Sequence, residues 1–271
     1  MKPAASIVIA IWLTATAGLG AITLISVAQE VEFGRQASAE VSRTTPALRD
    51  ADVEAYVRSL GRHLVAHADG PKYPYSFHIA DYREINAFAL PGGPVWVHRG
   101  VLQSAANESQ VVGVLAHEIA HISQRHAADQ LARSIVANLG LGLLTAVLGN
   151  DMSAAAARMA AGAMANGVFL KFSRDDEMDA DRVGLQMMTR AGWDARGMIE
   201  LFDMLRREGQ RDSGRVEVFL STHPAPQDRA ASLRADVARL RGGGRRDSRE
   251  FHAMKTRLSR MAPAQVMKKP L

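Results

Sequence analysis

Apolar residues recur every three to four positions through much of this chain, which is the spacing of amphipathic helices. In residues 51–68 this spacing predicts a helix that Asp50 or Asp52 can cap. Its apolar face is formed by Val53, Val57, Leu60, Leu64 and Val65. Residues 29–42 predict another helix ahead of it.

Shorter segments alternate apolar and polar residues, as half-buried strands do. Residues 75–79 show this alternation, and residues 84–90 and 94–98 follow with turns between them. Three short strands joined by turns predict a small antiparallel sheet. With helices predicted elsewhere, we expect an α+β fold that is mostly α-helical.

A helix that is apolar on several faces is predicted to begin at Glu108, with Asn107 as its cap. The segment that follows stays apolar, so the helix is expected to run on towards Leu148. Such a helix belongs in the core and holds its side chains rigidly. Residues 135–148 and 153–170 predict a helical hairpin over the core, with a surface that contacts a membrane as the alternative.

This core helix carries an H-E-x-x-H sequence, residues 117–121. Residues four apart share a helical face, so His117 and His121 can present two imidazoles to one zinc ion. Glu118 lies one step around the helix, from which its carboxylate can reach a water at the metal. Two histidines on an exposed turn would show the same motif, so a third ligand is needed. A continuous helix would place His126 on the opposite side, away from the metal.

The third ligand is predicted in the acidic segment 173–181, SRDDEMDAD. Glu177 and Asp181 are four residues apart and share one helical face. A His-His-Glu set leaves the fourth zinc position for water, as in catalytic zinc sites. Asp181 is then expected to accept the free ring N–H of a ligand histidine. The alternative is a solvated helix start, where acidic residues favour the helix dipole.

The composition limits which residues can bind a metal and which partners the chain is expected to have. The 271-residue chain has no cysteine, so disulfides and thiolate zinc sites are excluded and ligands must come from His and carboxylates. The net charge of +5 is concentrated in residues 239–271, which hold ten Lys or Arg against two carboxylates. Phe251 is the single aromatic ring of that tail, which argues against nucleic-acid binding.

The N-terminus predicts export from the cytoplasm. Residues 4–28 carry no charge and follow Lys2, and the run is long enough to span a bilayer. It ends Ser26-Val27-Ala28, small residues at the positions that a signal peptidase reads. We expect a signal peptide in residues 1–28, with a retained signal anchor as the alternative. Either way the domain lies in the periplasm or on the extracytoplasmic face of the inner membrane.

The segment NAFALPGG joins two predicted strands and is the candidate substrate-binding element. It comprises Asn86, Ala87, Phe88, Ala89, Leu90, Pro91, Gly92 and Gly93. The proline stops strand pairing, and the two glycines allow close backbone approach. The segment is either a hairpin loop or an edge strand that lends backbone groups to an extended peptide.

Four motifs in this order resemble the M48 family of zinc metallopeptidases, the group of Ste24-like, Oma1-like and BepA-like proteases. They are NAFALPGG, VLAHEIAHISQRH, SRDDEMDAD and the sequence Ser221-Thr222-His223-Pro224. The resemblance implies a gluzincin, with His117 and His121 on the active-site helix and Glu177 on a glutamate helix. It also implies that His223 approaches the zinc and that Arg229 lies near the cleft.

The resemblance also shapes the domain limits: a peptidase domain in residues 29–241, and a basic tail with a short helix in residues 242–271. The chain has no set of membrane helices as Ste24-like members do. It also has no helical-repeat region after Leu240, unlike BepA-like members. Prenylated substrates and a large assembly partner are therefore not implied here.

The expected reaction is hydrolysis of peptide bonds in misfolded or unassembled envelope proteins, with one Zn²⁺ per chain. Zinc activates the water and Glu118 acts as general base. His223, expected on a loop after an extended stretch at residues 216–220, either donates to the oxyanion or occupies the fourth zinc position and keeps the enzyme latent. The alternative function is a chaperone-like factor that binds misfolded envelope proteins and whose protease is secondary. The tail is expected to be solvated or to contact anionic lipid.

Overall fold

The computed structural model of the protein describes residues 25–139, 171–224, 226–240 and 243–267. Its helices are α1 (Val27–Thr44), α2 (Ala51–Val65), α3 (Arg99–Ser104), α4 (Glu108–Ser123), α5 (His126–Leu139), α6 (Arg174–Arg190), α7 (Arg196–Arg211), α8 (Glu217–Thr222), α9 (Pro226–Arg239) and α10 (Arg249–Arg260). Its strands are β1 (Ser76–Ala80), β2 (Ala87–Ala89) and β3 (Pro94–His98), and a 3₁₀ turn spans Ser213–Arg215. The predicted α+β fold, mostly helical with a small sheet, is confirmed.

The sheet is mixed, which corrects the expectation of a purely antiparallel one. β2 pairs antiparallel with β3, as predicted, but β1 pairs parallel with β3. The strand order is β1-β3-β2. The chain reverses direction twice between β1 and β3, so these two strands point the same way, and β3 lies between its two predecessors. β1 and β2, which are neighbours in sequence, are therefore not neighbours in the sheet.

The tight connection from β2 to β3 depends on two glycines. Gly92 and Gly93 have φ angles of 75° and 131°, in the left-handed region that favours glycine. A Cβ at Gly92 would lie 2.4 Å from the carbonyl oxygen of Glu30, and one at Gly93 would lie 2.9 Å from that of Pro74. The close approach predicted for these glycines is therefore to α1 and to the segment before β1.

The core is organised around α4, which is buried along its whole length. It packs against α6, α7, α2 and β2, so the helix is surrounded on all sides as its sequence predicted. Asn107 caps it, accepting a hydrogen bond from the backbone N–H of Gln110 at 3.2 Å. A fixed cap and a dry environment hold the helix in one position and register.

The core helix α4 is shorter than expected. It ends at Ser123, and Arg125 adopts a φ of 64° before α5 begins at His126. The prediction of one helix running on towards Leu148 is therefore wrong. A residue in the left-handed conformation cannot continue a right-handed helix, and a non-glycine residue gives little sign of this in sequence.

α1 covers the outer face of the sheet and is tied to the end of α4. Its Phe33 packs in a cluster with Trp96 of β3. The guanidinium of Arg125 donates hydrogen bonds to the buried carboxylate of Glu30 and to the carbonyl oxygen of Ile25. The N-terminal helix is thus anchored at the point where the active-site helix stops.

The C-terminal segment also docks on the domain. α10 packs against α2 and α3, and Lys255 donates hydrogen bonds to three carbonyl oxygens at the end of α3. Arg245 stacks on the ring of Trp193 with 3.8 Å between Cζ and the ring centroid. The expected short helix is therefore part of the folded unit.

Some sequence predictions fall outside the described residues. They are most of the uncharged run 4–28 and the hairpin predicted in residues 135–170, of which only 135–139 are described, within α5. Within the described ranges, none of the helices combines the length and apolar character that crossing a bilayer requires.

Candidate active site

Four buried side chains from three parts of the chain converge at one point. His117 and His121 come from α4, Glu177 from α6, and His223 from the residue that ends α8. One donor atom from each lies within 4.8 Å of all the others. The fold therefore brings together the two histidines and the glutamate that the sequence singled out, with His223, 106 positions after His117, among them.

The distances define a compact set. The Nε2 atoms of His117 and His121 are 3.0 Å apart. Glu177 places Oε1 3.3 Å from His121 Nε2 and Oε2 3.6 Å from His117 Nε2. His223 Nδ1 lies 2.9 Å from Glu177 Oε1 and 3.3 Å from His117 Nε2. Three imidazole nitrogens and a carboxylate thus face a common centre.

The close packing of α6 on α4 brings Glu177 to the histidines. A Cβ at Gly184 would lie 3.1 Å from the carbonyl oxygen of Ala116, so the two helices meet where α6 has no side chain. Ser173 caps α6 in a reciprocal box with Asp176, which fixes the turn that begins the helix. The acidic segment is therefore both a capped helix start and a source of a ligand.

The arrangement fits a metal cation, and zinc in particular. Glu118 is fully buried, yet among the described residues neither of its carboxylate oxygens has a hydrogen-bond partner. A buried carboxylate is costly unless a charge or donor compensates it. The converging set of three imidazole nitrogens and a carboxylate is the nitrogen and oxygen chemistry that zinc prefers in proteins without cysteine ligands. The four residues thus form a metal site with the chemistry of zinc.

Burial shapes the ionisation of these groups. It lowers the pKa of His121 well below the ordinary value, which keeps the imidazole in the neutral form that binds metals. Burial also opposes ionisation of Glu177, but the nearby imidazoles of His223 and His121 outweigh it and hold the pKa of that carboxyl low. Glu177 is therefore ionised, as a carboxylate ligand of a metal must be.

Asp181 lies behind His117. Its Oδ1 is 3.0 Å from His117 Nδ1, on the side of the ring that faces away from the donor set. Burial raises the pKa of Asp181, but hydrogen bonds from Arg229 and His117 outweigh burial and lower it. Asp181 thus lies where an acceptor for the free ring N–H of His117 was expected.

Arg229 is placed behind the carboxylates. It donates hydrogen bonds from Nε and Nη2 to the two oxygens of Asp181, at 2.7 Å each, and its Nη1 pairs with Glu177 Oε2. Its side chain is 2% exposed. Arg229, which the resemblance placed near the cleft, is in contact with the acidic residues Glu177 and Asp181 of α6.

His126 lies much closer to the site than a continuous helix would allow. Because the chain breaks at Arg125, the ring of His126 folds back and places Nδ1 3.0 Å from Nδ1 of His121. Its Nε2 lies 3.4 Å from Asp179 Oδ2. The prediction that His126 lies on the opposite side was wrong because the helix was assumed to continue.

Two aromatic rings complete the site and were missed by sequence reasoning. Phe172 stacks on His121 with 3.8 Å between ring centroids, and Phe219 stacks on His223 at 4.6 Å. Phe219 stands four residues before His223, a helical spacing that could have revealed the pair. Phe172 directly precedes the acidic segment, and nothing local marks its partner.

The candidate substrate segment, residues 86–93, is buried throughout. Its strand β2 packs against α4, so it lies beside the active-site helix. Asn86 is 1% exposed, and neither polar atom of its side-chain amide has a hydrogen-bond partner among the described residues. An unsatisfied amide is unusual in a core, and it sits at the start of the strand proposed to bind peptide.

Comparison with known proteins identifies the family of this chain. The profile of peptidase family M48 matches residues 51–237. The beta-barrel assembly-enhancing protease of Escherichia coli (strain K12) is 32% identical over 245 residues, covering 89% of this chain and 50% of that protein. The mitochondrial metalloendopeptidase OMA1 of Schizosaccharomyces pombe is 32% identical over 179 residues, covering 66% and 51%. The metalloendopeptidase OMA1 of Danio rerio is 35% identical over 192 residues, covering 67% and 39%. The chain thus spans about half of the length of these relatives, or less.

Proposed function

The chain belongs to peptidase family M48, and from that premise we propose that it is a zinc-dependent endopeptidase that cleaves misfolded or unassembled proteins of the cell envelope. The observation that carries the proposal is the buried set of His117, His121 and Glu177 beside the carboxylate of Glu118, whose oxygens have no hydrogen-bond partner among the described residues. Together they supply the metal ligands and the base that peptide hydrolysis needs.

Glu118 is the general base in this proposal. A zinc ion at the site would lower the pKa of a water molecule and polarise the scissile carbonyl. Glu118 takes the proton of the attacking water and later delivers it to the leaving amine. Burial raises the pKa of Glu118, which suits a group that must both accept and release a proton near neutral pH.

The remaining side chains orient this machinery. Asp181 holds the ring of His117 through Nδ1, and Arg229 holds Asp181 and Glu177 in turn. Ligands fixed in this way keep their geometry while the substrate binds and leaves.

His223 is proposed to hold the enzyme in a latent state. Its Nδ1 lies among the donor atoms of the metal set, 2.9 Å from Glu177 and 3.3 Å from His117. A fourth protein ligand would take the position that the attacking water needs. The residue ends a six-residue helix and stacks on Phe219, so a shift of α8 would withdraw it. The stretch at residues 216–220, expected to be extended, is helical from Glu217, so His223 ends a short helix and does not follow a strand.

The substrate is proposed to bind as an added strand along β2, which packs on α4. The unpaired amide of Asn86 can donate to and accept from a peptide group there. The name of the Escherichia coli relative, a beta-barrel assembly-enhancing protease, supports substrates among barrel proteins, which in bacteria belong to the outer membrane. We therefore infer a periplasmic location, to which the uncharged N-terminal run would direct the chain.

The test is proteolysis of unfolded casein by the full chain and by Glu118→Gln. Wild type should bind about one zinc per chain and cut casein in a way that a chelator abolishes. Glu118→Gln should keep the zinc and lose roughly 10²–10⁴-fold or more in rate, because an amide cannot take the proton. Zinc-loaded Glu118→Gln that cleaves casein normally would reject the mechanism. A wild-type protein that suppresses casein aggregation without cutting it would favour the chaperone-like function.

A further inference from the structure

We propose that His126 and Asp179 form a hydrogen-bonded relay that fixes the tautomer and ring orientation of His121, and that His126 is therefore a positioning residue of the metal site. The inference rests on the proposed zinc site and deepens it. Its starting point is the row of three groups in contact, from His121 Nδ1 to His126 Nδ1 at 3.0 Å, and from His126 Nε2 to Asp179 Oδ2 at 3.4 Å.

The direction of the hydrogen bonds follows from the role of His121. Its Nε2 faces the donor atoms of His117 and Glu177, so that nitrogen offers its lone pair to the metal. In a neutral imidazole the proton then resides on Nδ1. Nδ1 of His121 must donate, and Nδ1 of His126 must accept. His126 consequently carries its own proton on Nε2, which is the atom that points at the carboxylate of Asp179.

Through the relay, Nδ1 of His121 is connected to a carboxylate indirectly, whereas Nδ1 of His117 contacts one directly. His117 meets a carboxylate at its Nδ1, with Asp181 Oδ1 at 3.0 Å. Asp179 and Asp181 are both on α6, but residues two apart lie on different helical faces. Asp179 is therefore turned away from the donor set that Glu177 and Asp181 face, and His126 fills the distance between it and His121. His117 and His121 are thus both connected to a carboxylate of α6, His117 directly and His121 through His126.

The fold keeps the ring of His126 in place. The left-handed turn at Arg125 reverses the chain directly after α4, and the Arg125 side chain is bound by the buried carboxylate of Glu30. The ring itself is buried, with 7% of the residue exposed. On the other side of the relay, Arg182 pairs with Asp179. Phe172 covers one face of His121, so His121 is held at its face and at both nitrogens.

Two substitutions of His126 distinguish a role in positioning His121 from a role in packing. His126→Leu keeps an apolar side chain of moderate size but has no acceptor, whereas His126→Asn places an amide oxygen close to the position of Nδ1. We expect His126→Leu to weaken zinc binding by roughly 10–100-fold in chelator competition, as loss of such partners does. His126→Asn should restore most of the affinity. Asp179→Asn, at the far end, should weaken zinc binding less than His126→Leu does.

The matched control is His98→Leu. His98 is likewise buried, with Nδ1 3.3 Å from the carbonyl oxygen of Glu84, but it lies on β3 outside the donor set. We expect it to lower the unfolding free energy of the metal-free protein and to leave zinc affinity unchanged. If His126 only filled space, His126→Leu would behave in the same way, and the proposal would be overturned.

A measurement without substitution completes the test. Nitrogen-15 chemical shifts of the imidazoles in the zinc-loaded wild type report which ring nitrogen bears each proton. The relay requires the Nδ1–H tautomer in His121 and the Nε2–H tautomer in His126. A proton on Nδ1 of His126 would overturn the relay even if His126→Leu fails to fold. A wild-type protein that binds no zinc would instead overturn the proposed function, and the two failures are therefore distinguishable.

Discussion

Arg229 donates one hydrogen bond to each carboxylate oxygen of Asp181, and both measure 2.7 Å. The two residues are 48 positions apart, on α9 and α6, and both are buried. Asp181 also contacts His117, so the pair connects the C-terminal helices of the domain to a metal ligand. Replacing Asp181 should therefore change both the unfolding free energy and the zinc affinity, and the two changes can be measured separately.

Asp181→Asn should lower both quantities. The neutral amide is a weaker acceptor for His117, so zinc affinity should fall by roughly 10–100-fold. It also removes one of the two carboxylates that pair with the buried Arg229 guanidinium. Glu177 still pairs with that guanidinium, so the loss of stability should be smaller than the about 3–5 kcal/mol that an uncompensated buried charge costs. Adding Arg229→Met removes the partly compensated charge and should recover part of the stability without recovering zinc affinity. Chelator competition and urea unfolding measure the two effects, and a double variant with normal zinc affinity would contradict the role of Asp181.

His223→Ala should raise the rate of casein cleavage if His223 is the latch. It removes the nitrogen that lies among the donor atoms and opens that position to water. Phe219→Leu, which loosens the stacking on His223 and leaves the donor set intact, should raise the rate by less. A fall of roughly 10²–10³-fold would instead identify His223 as an oxyanion donor. Unchanged rates in both variants would exclude either role.

Asn86→Leu should stabilise the protein and weaken substrate binding. The substitution removes an amide whose two polar atoms are buried without partners, so the unfolding free energy should rise by about 1–3 kcal/mol. If the amide binds the peptide backbone, KM for an extended peptide should rise while zinc content stays at the wild-type level. Thermal unfolding and steady-state kinetics give the two values. A lower stability with unchanged KM would show that Asn86 is structural.

The stability that Asp194 gives to the docked C-terminal segment should be lost at acidic pH. Burial raises its pKa, but hydrogen bonds from Arg196 and Arg246 outweigh burial and lower the pKa from 3.8 to about 2. A carboxyl with a lowered folded-state pKa stabilises the protein above the unfolded value, and that stability is lost as pH falls through the folded value. The stability difference between wild type and Asp194→Asn should therefore be constant above pH ~5 and shrink from pH ~4 to ~2.

Urea unfolding at a series of pH values measures this difference. Asp203→Asn is the control, because Asp203 is more exposed and contacts only its helical neighbour Arg206 among the ion pairs of the described residues. A difference for Asp194→Asn that stays the same down to pH 2 would mean that its contacts with Arg196 and Arg246 do not depend on charge.

The contacts of α1 bear on the prediction that the N-terminal signal peptide is cleaved after Ala28. Ser26 caps α1, and the carbonyl oxygen of Ile25 accepts a hydrogen bond from Arg125. Cleavage after Ala28 would remove both contacts and leave the contact of Arg125 with Glu30, whereas a signal anchor that is kept would preserve all three. The expected signal peptide and its cleavage stay a prediction, which the N-terminal sequence of the mature protein would decide.

The parts of this protein that follow from short-range periodicity could be read from sequence alone. His117 and His121 meet because four residues make nearly one helical turn, and Asn107 caps α4 because a short side chain can accept from the next turn. The same reasoning found Glu177 and Asp181, and the mostly helical fold. All of these depend on neighbours within about four positions, where backbone geometry is nearly fixed.

Tertiary structure decided what depends on distant partners or on a single backbone angle. The position of β3 between β1 and β2 follows from packing of the whole sheet, and Arg125 ends α4 because its φ is held at 64° by a side chain bound to α1. Because of that one angle, His126 lies beside the ring of His121 and not on the opposite side of a continuous helix. The contact of Arg229 with Asp181 likewise needs two helices to pack first. Local periodicity carries no information on such pairings, because they are selected by the free energy of the assembled core.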